Sequence, residues 1–423
     1  MLRMTDQFFP GAASGAPLDG QPSQSPMPGA APASAPEGTA TSAPTGMIAA
    51  AQAPQVAQPP VEPPTLFNGA TIHGWFGIRA LRHPKELPLM AVCGLLTLGA
   101  YASWFGLIAW LIAVPNPSGA EAGFRSLVMS TIGQYLLLVP IIPIVLWVVR
   151  AVLYAQQRAQ GVQMSFTQFP EGYRMVVEAA HNFGLRRVPD AYVVLGNGKI
   201  NAFAAGHGFR RYVVVYSDLF EVGGSARDPE ALRFVINHEV GHLAAGHVSF
   251  LRLAITTLGM QFPLIGSALS RAQEYTADNH GYAGAPQGAP GTMGLLAAGK
   301  YLGAQVNFHA MADRAVTERG FWLHIAAWRT SHPVLTWRSH ALRDRSRPGR
   351  LMVRPKQGIL AGPISPVGRE GSGAWPTPGQ VLAFMDATRP QAAAEEQFGR
   401  YPGVEYTVPR DAVRLSDPRP VSR

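Results

Sequence analysis

Two stretches of this chain, Leu87–Val114 and Ser126–Val149, contain no charged side chain. Each exceeds the roughly 20 residues that cross a bilayer as an α-helix. The short link Pro115–Arg125 between them predicts a helical hairpin in a membrane rather than two helices of a buried core. Pro140 and Pro143 are expected to kink the second helix without abolishing it, because membrane helices tolerate proline. Trp110 and Trp147 suit a membrane–water boundary better than the mid-run Trp104. Arg79, Arg82 and Lys85 precede the first run, and Arg150 and Arg158 follow the second. The link offers only Arg125, offset by Glu121. This asymmetry places both ends of the hairpin in the cytoplasm. The expectation is a multi-pass protein of the cell (inner or plasma) membrane whose remaining mass faces the cytosol.

Composition agrees with that frame. Charged residues are 14% of the chain, against about 25% in ordinary soluble domains. A formal charge of +9 beside apolar spans reads as attraction to anionic lipid headgroups. No aromatic–basic motif accompanies it, so no nucleic-acid partner is expected. The single cysteine, Cys93, lies inside the first apolar run, which excludes an internal disulfide and a cysteine metal site. Any metal must rest on histidine and carboxylate.

Residues 1–66 are rich in Ala, Pro, Gly and Ser without apolar periodicity, and read as a disordered tail. Residues 67–158 hold the hairpin, 159–345 a globular domain, and 346–423 a Pro- and Gly-rich tail with one helix near Gly379–Ala387. Within the domain, Pro170–Phe183 reads as an amphipathic helix stopped by Gly184. Ala191–Leu195, Ile200–Ala205 and Tyr212–Tyr216 read as strands, with Gly206-His207-Gly208 as a turn. Asp228 suits an N-cap and Pro229 a first helical position, opening a helix to about His247. Leu253–Leu269 is apolar but interrupted by Gly259, Pro263 and Gly266, and reads either as a buried or membrane-dipping helix or as a crossing. Gly281–Gly291 reads as a loop, with helix again from Thr292 to Thr317.

Inside the helix after Asp228 lies His238-Glu239-Val240-Gly241-His242, an H-E-x-x-H pattern. A spacing of four puts both imidazoles on one helical face, as two ligands of a tetrahedral metal require. Glu239 sits beside them, where it can take a proton from water at the metal. A third ligand is needed. His247 stands at the wrong offset for the longer H-E-x-x-H-x-x-G-x-x-H pattern, and at 100° per residue it falls about 140° past His242, pointing away from the metal. Glu274, in Arg271-Ala-Gln-Glu274-Tyr-Thr-Ala-Asp278, completes a His₂Glu set. Asp278, one turn further, is placed to orient a ligand imidazole. His181, His207, His280, His309, His324 and His340 show no ligand spacing.

With Ser331-His332-Pro333 and Arg338 further on, these motifs resemble the HtpX-like and CAAX-prenyl-protease group of membrane metallopeptidases, gluzincins by ligand set. Asn201-Ala202-Phe203-Ala204 is similar to that group's N-A-F segment. The resemblance implies an α+β zincin-type domain, mostly helical with a small sheet, after the membrane hairpin. It implies Zn²⁺ on His238, His242 and Glu274, Glu239 as general base, and His332 and Arg338 near the substrate carbonyl. Asn201, Ala202, Phe203 and Ala204 would then form an edge strand pairing with substrate. The implied reaction is hydrolysis of peptide bonds in misfolded or membrane proteins. The alternatives are a zinc-binding scaffold that holds unfolded segments by strand addition, and a dedicated CAAX-type processing protease. One departure stands out: only about 31 residues separate His242 from Glu274, too few for the two spans usual there.

Overall fold

The computed structural model describes residues 78–130, 133, 138–220, 228–356 and 377–387. The N-terminal tail, and the C-terminal tail apart from 346–356 and 377–387, lie outside the described residues.

The first apolar run forms one helix, α1, Glu86–Ala113. Its free C-terminal carbonyls are held by Arg125, whose Nη1 donates to the oxygens of Leu111 at 3.1 Å and Val114 at 2.7 Å. The second run departs from the expected 126–149 helix. A shorter helix, α2, Ala120–Met129, ends at Ser130. A 3₁₀ turn, Val139–Ile141, then leads into α3, Ile142–Gln160. Pro140 and Pro143 explain the shift: inside a helix each would lose a hydrogen bond and clash with the preceding turn, whereas at a helix start neither does. The prolines therefore begin the second apolar helix instead of kinking it, and it runs on past Arg150 and Arg158.

Two segments, Glu86–Ala113 and Val139–Gln160, are long and apolar enough to cross a membrane, and only 6% and 22% of their apolar windows are buried. A core helix of a water-soluble fold would be mostly covered. Here Leu95, Leu98, Phe105 and Ile112 are exposed on α1. The inner ends of the two helices are nevertheless docked on the rest of the chain, α1 against the segment 250–284 and α3 against the sheet.

That sheet is mixed, with strands β1 (Val162–Gln163), β2 (Asp190–Val194), β3 (Ala202–His207) and β4 (Arg210–Tyr216) in the order β1-β2-β4-β3. β4 is central, parallel to β2 and antiparallel to β3. Tyr212, Val213, Val214 and Val215 are fully buried, as expected of a strand covered on both faces. One face packs on α4, Pro170–Asn182, and α5, Pro229–Ala244, through Met175, Val176, Ile236, Val240 and Leu243. On the other, Tyr154 of α3 stacks on Tyr212 at 4.9 Å between ring centroids. β3 is left as an edge strand.

Beyond α5 the chain forms α6 (Phe250–Thr256), a 3₁₀ turn (Gly259–Gln261) and α7 (Ile265–Gly284). The apolar run Leu253–Leu269 is thus cut at its Gly and Pro residues and never forms one crossing helix. The expected loop at 281–291 shrinks to 285–287, because α7 continues to Gly284 and α8 spans Gly288–Leu302. These glycines serve packing rather than turning: a Cβ on Gly281 would lie 2.9 Å from the Phe234 ring of α5. The expected helix 292–317 is broken likewise, α9 (Phe308–Thr317) starting afresh from the cap of Asn307 on the Ala310 N–H. Then follow α10 (Phe321–Arg329), α11 (Leu335–Arg343) and α12 (Pro378–Ala387). Mostly helical, with one small mixed sheet, the architecture fits a zincin-like fold.

Candidate metal centre

Helix α5 is fixed at its start by Asp228, whose side chain accepts from the Ala231 N–H at 2.9 Å, with Pro229 in the first turn. Its Ile236, Val240 and Leu243 anchor it to the sheet, so His238 and His242 face away from that core toward α7. Gly241 allows the approach: a Cβ there would sit 2.5 Å from the Cβ of His280 on α7. Close packing carries Glu274 to the two imidazoles.

The three donor atoms converge. His238 Nε2 and His242 Nε2 are 3.3 Å apart, and each lies 3.6 Å from a different oxygen of Glu274. Tetrahedral bonds of 2.0–2.1 Å, the lengths usual for zinc with His and carboxylate, put donors about 3.3 Å apart. The residues present fit a zinc ion. Among the described residues this is the one His/Asp/Glu cluster with donors close enough to share a metal.

Charge in the cluster supports that fit. Burial opposes ionisation of Glu274, but His332, His238 and His242 around it hold its carboxyl well below the usual range. Burial also pushes His238 down, yet its bonds to Asp278 and Glu274 win and raise the metal-free ring to about 10. A cation entering here would displace that proton and take its place.

Asp278 stands where the E-x-x-x-D spacing suggested, with Oδ1 3.0 Å from His238 Nδ1. Arg338 is held on Asp278 by two bonds, Nε to Oδ2 at 2.9 Å and Nη2 to Oδ1 at 2.6 Å. Its guanidinium is therefore held on the carboxylate whose Oδ1 also meets His238. His332 stands on the open, solvent side of the cluster, half-exposed, with Nε2 3.4 Å from Glu274 Oε1. Arg271 donates to the carbonyls of Ala327 and Thr330, at 2.8 Å for the latter, and so ties α7 to the turn before His332.

Glu239 is buried beside the ligands. Desolvation pushes its carboxyl up to about 7, and Glu274 adds to this against the pull of His238 and a hydrogen bond from the Ala204 backbone. That bond puts the β3 edge next to the Glu239 carboxylate. Ala202, Phe203 and Ala204 lie on β3, and Asn201 immediately precedes it with its carbonyl accepting from the Tyr216 N–H at 3.0 Å.

Two residues of the site were not legible as such. His247 is not among the three clustered donors, yet it does not point away from them: α5 ends at Ala244, Gly246 turns the chain at φ +71°, and His247 returns to meet His242, Nδ1 to Nδ1, at 2.7 Å. Extrapolating 100° per residue fails past a helix end. Behind His247 lies Glu86, the first residue of α1. The signal available was a lone acid, four residues after Arg82, at the mouth of an apolar run.

The family model described as Peptidase family M48 matches residues 168–263 and 250–346, which span every residue of the cluster. No curated protein and no solved structure matches the chain.

Proposed function

We propose, from the match of residues 168–346 to the model of peptidase family M48, a metallopeptidase family, that the chain is a membrane-anchored, zinc-dependent endopeptidase. The observation that carries the reading is the His238–His242–Glu274 triangle of donors with Glu239 buried beside it. His238, His242 and Glu274 would hold Zn²⁺, which when bound supplies Lewis acidity at the scissile carbonyl and at the attacking water. Glu239 takes the proton of that water and returns it to the leaving amine. His332, on the open side, is placed to donate to the oxygen on which charge develops. Arg338 acts through Asp278, fixing the carboxylate that orients His238.

The β3 edge, which no described strand covers, favours a substrate bound as an added strand, with Asn201 to Ala204 reading backbone rather than side chains. Such binding suits unfolded segments of misfolded or membrane proteins. The two exposed apolar helices favour a bilayer as the partner that covers them, with the domain on the cytoplasmic side. Incubating the purified chain with unfolded casein tests the activity. Cleavage that stops with a chelator and returns with zinc is expected; binding without cleavage under zinc would leave only a holding scaffold.

A further inference from the structure

Behind His242, away from Glu274, runs a buried line of contacts that the hydrolytic reading does not use. His242 Nδ1 lies 2.7 Å from His247 Nδ1, and His247 Nε2 lies 3.1 Å from Glu86 Oε1. Glu86 is fully buried, and His247 nearly so. The same carboxylate accepts from Arg82 Nη1, from Arg252 Nη2 at 2.8 Å and from Thr276 Oγ1 of α7. Both guanidiniums also donate to the Ala245 carbonyl, at 3.0 and 3.2 Å, where α5 ends and the helix dipole favours cations.

The hydrogen positions follow from one constraint. A carboxylate bonded to two guanidiniums can only accept, so His247 Nε2 carries the hydrogen. In neutral imidazole Nδ1 is then the acceptor, and the partner 2.7 Å away, His242 Nδ1, must donate. His242 Nε2 is left with a bare lone pair, aimed at Glu274 and His238. We propose that Glu86 and His247 form a positioning relay that fixes His242 as its Nδ1–H tautomer and makes the first apolar helix a working part of the metal centre. The proposal rests on the zinc reading above. It mirrors the Asp278–Arg338 pair behind His238, but its anchor is the first residue of α1 and not a neighbour on α7.

The position of Glu86 is set by how α1 seats. Thr97 Oγ1 accepts from the Gly259 N–H at 2.9 Å, and a Cβ on Gly259 would fall 2.1 Å from the Cys93 carbonyl. α1 is therefore pressed against the turn 259–261 two to three turns from Glu86, and a shift of the helix would move the carboxylate under His247.

The test uses the full chain in detergent, with competitive zinc titration and ¹⁵N spectra of labelled histidine in the metal-free protein. His247→Leu, which can neither accept nor donate, is expected to weaken zinc binding about 10–100-fold and to leave His242 as a mixture of tautomers. His247→Gln, whose amide can accept from His242 and donate to Glu86, is expected to restore affinity to within a few-fold. Should His247→Leu fail to fold, Glu86→Gln takes its place, with a several-fold loss expected. Wild-type zinc affinity and an unchanged His242 tautomer in the folded variant would overturn the relay. His242→Ala, run alongside, separates the two claims: loss of zinc there but not in His247→Leu overturns the relay alone, and unchanged affinity in His242→Ala overturns the metal reading with it.

Discussion

Burial pushes the Glu239 carboxyl from its ordinary 4.5 to about 7 in the metal-free chain. A folded value above the unfolded one means that folding is unpenalised while the group is protonated. The penalty then grows as pH rises from about 4.5 through 7. Metal-free Glu239→Gln is therefore expected to melt above the metal-free wild type at pH 8, the gap closing near pH 4.5. Its ceiling is about 3 kcal/mol, at about 1.4 kcal/mol for each tenfold change in proton affinity. Equal melting temperatures at pH 8 would contradict it. Asp278→Asn keeps the shape but weakens the acceptor for His238 Nδ1, and should bind zinc about 10–100-fold more weakly without losing it; competitive titration decides. His238, Glu239, His242, Glu274 and Asp278 were legible because each pairing is a helical spacing of one to four. Glu86 was not, being 161 positions from His247 with no local period to announce it.

At the scale of elements, the metal cluster depends on α5 and α7 packing without a side chain between them at Gly241. Gly241→Ala forces the helices apart and is expected to cost about 1–3 kcal/mol of stability and to weaken zinc binding, although it touches no ligand. Chemical denaturation and zinc titration of the same sample check both, and a variant with wild-type values in each would show that the contact has slack. The start of α5 was readable from Asp228 and Pro229, whose capping chemistry is local. Its glycine-rich partner was misread at 281–291 because glycine marks turns and tight helix contacts alike, and only the neighbour, Phe234 for Gly281, tells them apart. The strands were found but shifted by a residue or two, since the pairing that fixes their ends, such as His207 opposite Arg210, joins separate segments.

For the whole molecule, the apolar runs announced two exposed helices, and the prolines that set the start of the second were visible but assigned the wrong effect. Reporter fusions after Arg158 should report the cytoplasm and fusions within Gly119–Gly123 the outside, because basic residues flank both outer ends of the hairpin; the reverse pattern would put the metal centre on the other side. The proposed hydrolysis turns on one carboxylate, and that can be measured by itself. Zinc content and casein cleavage are to be determined on one preparation each of the wild type and Glu239→Gln. The account predicts about one zinc per chain in both, with cleavage in the wild type and almost none in the variant. Cleavage by Glu239→Gln within a few-fold of the wild type would contradict it.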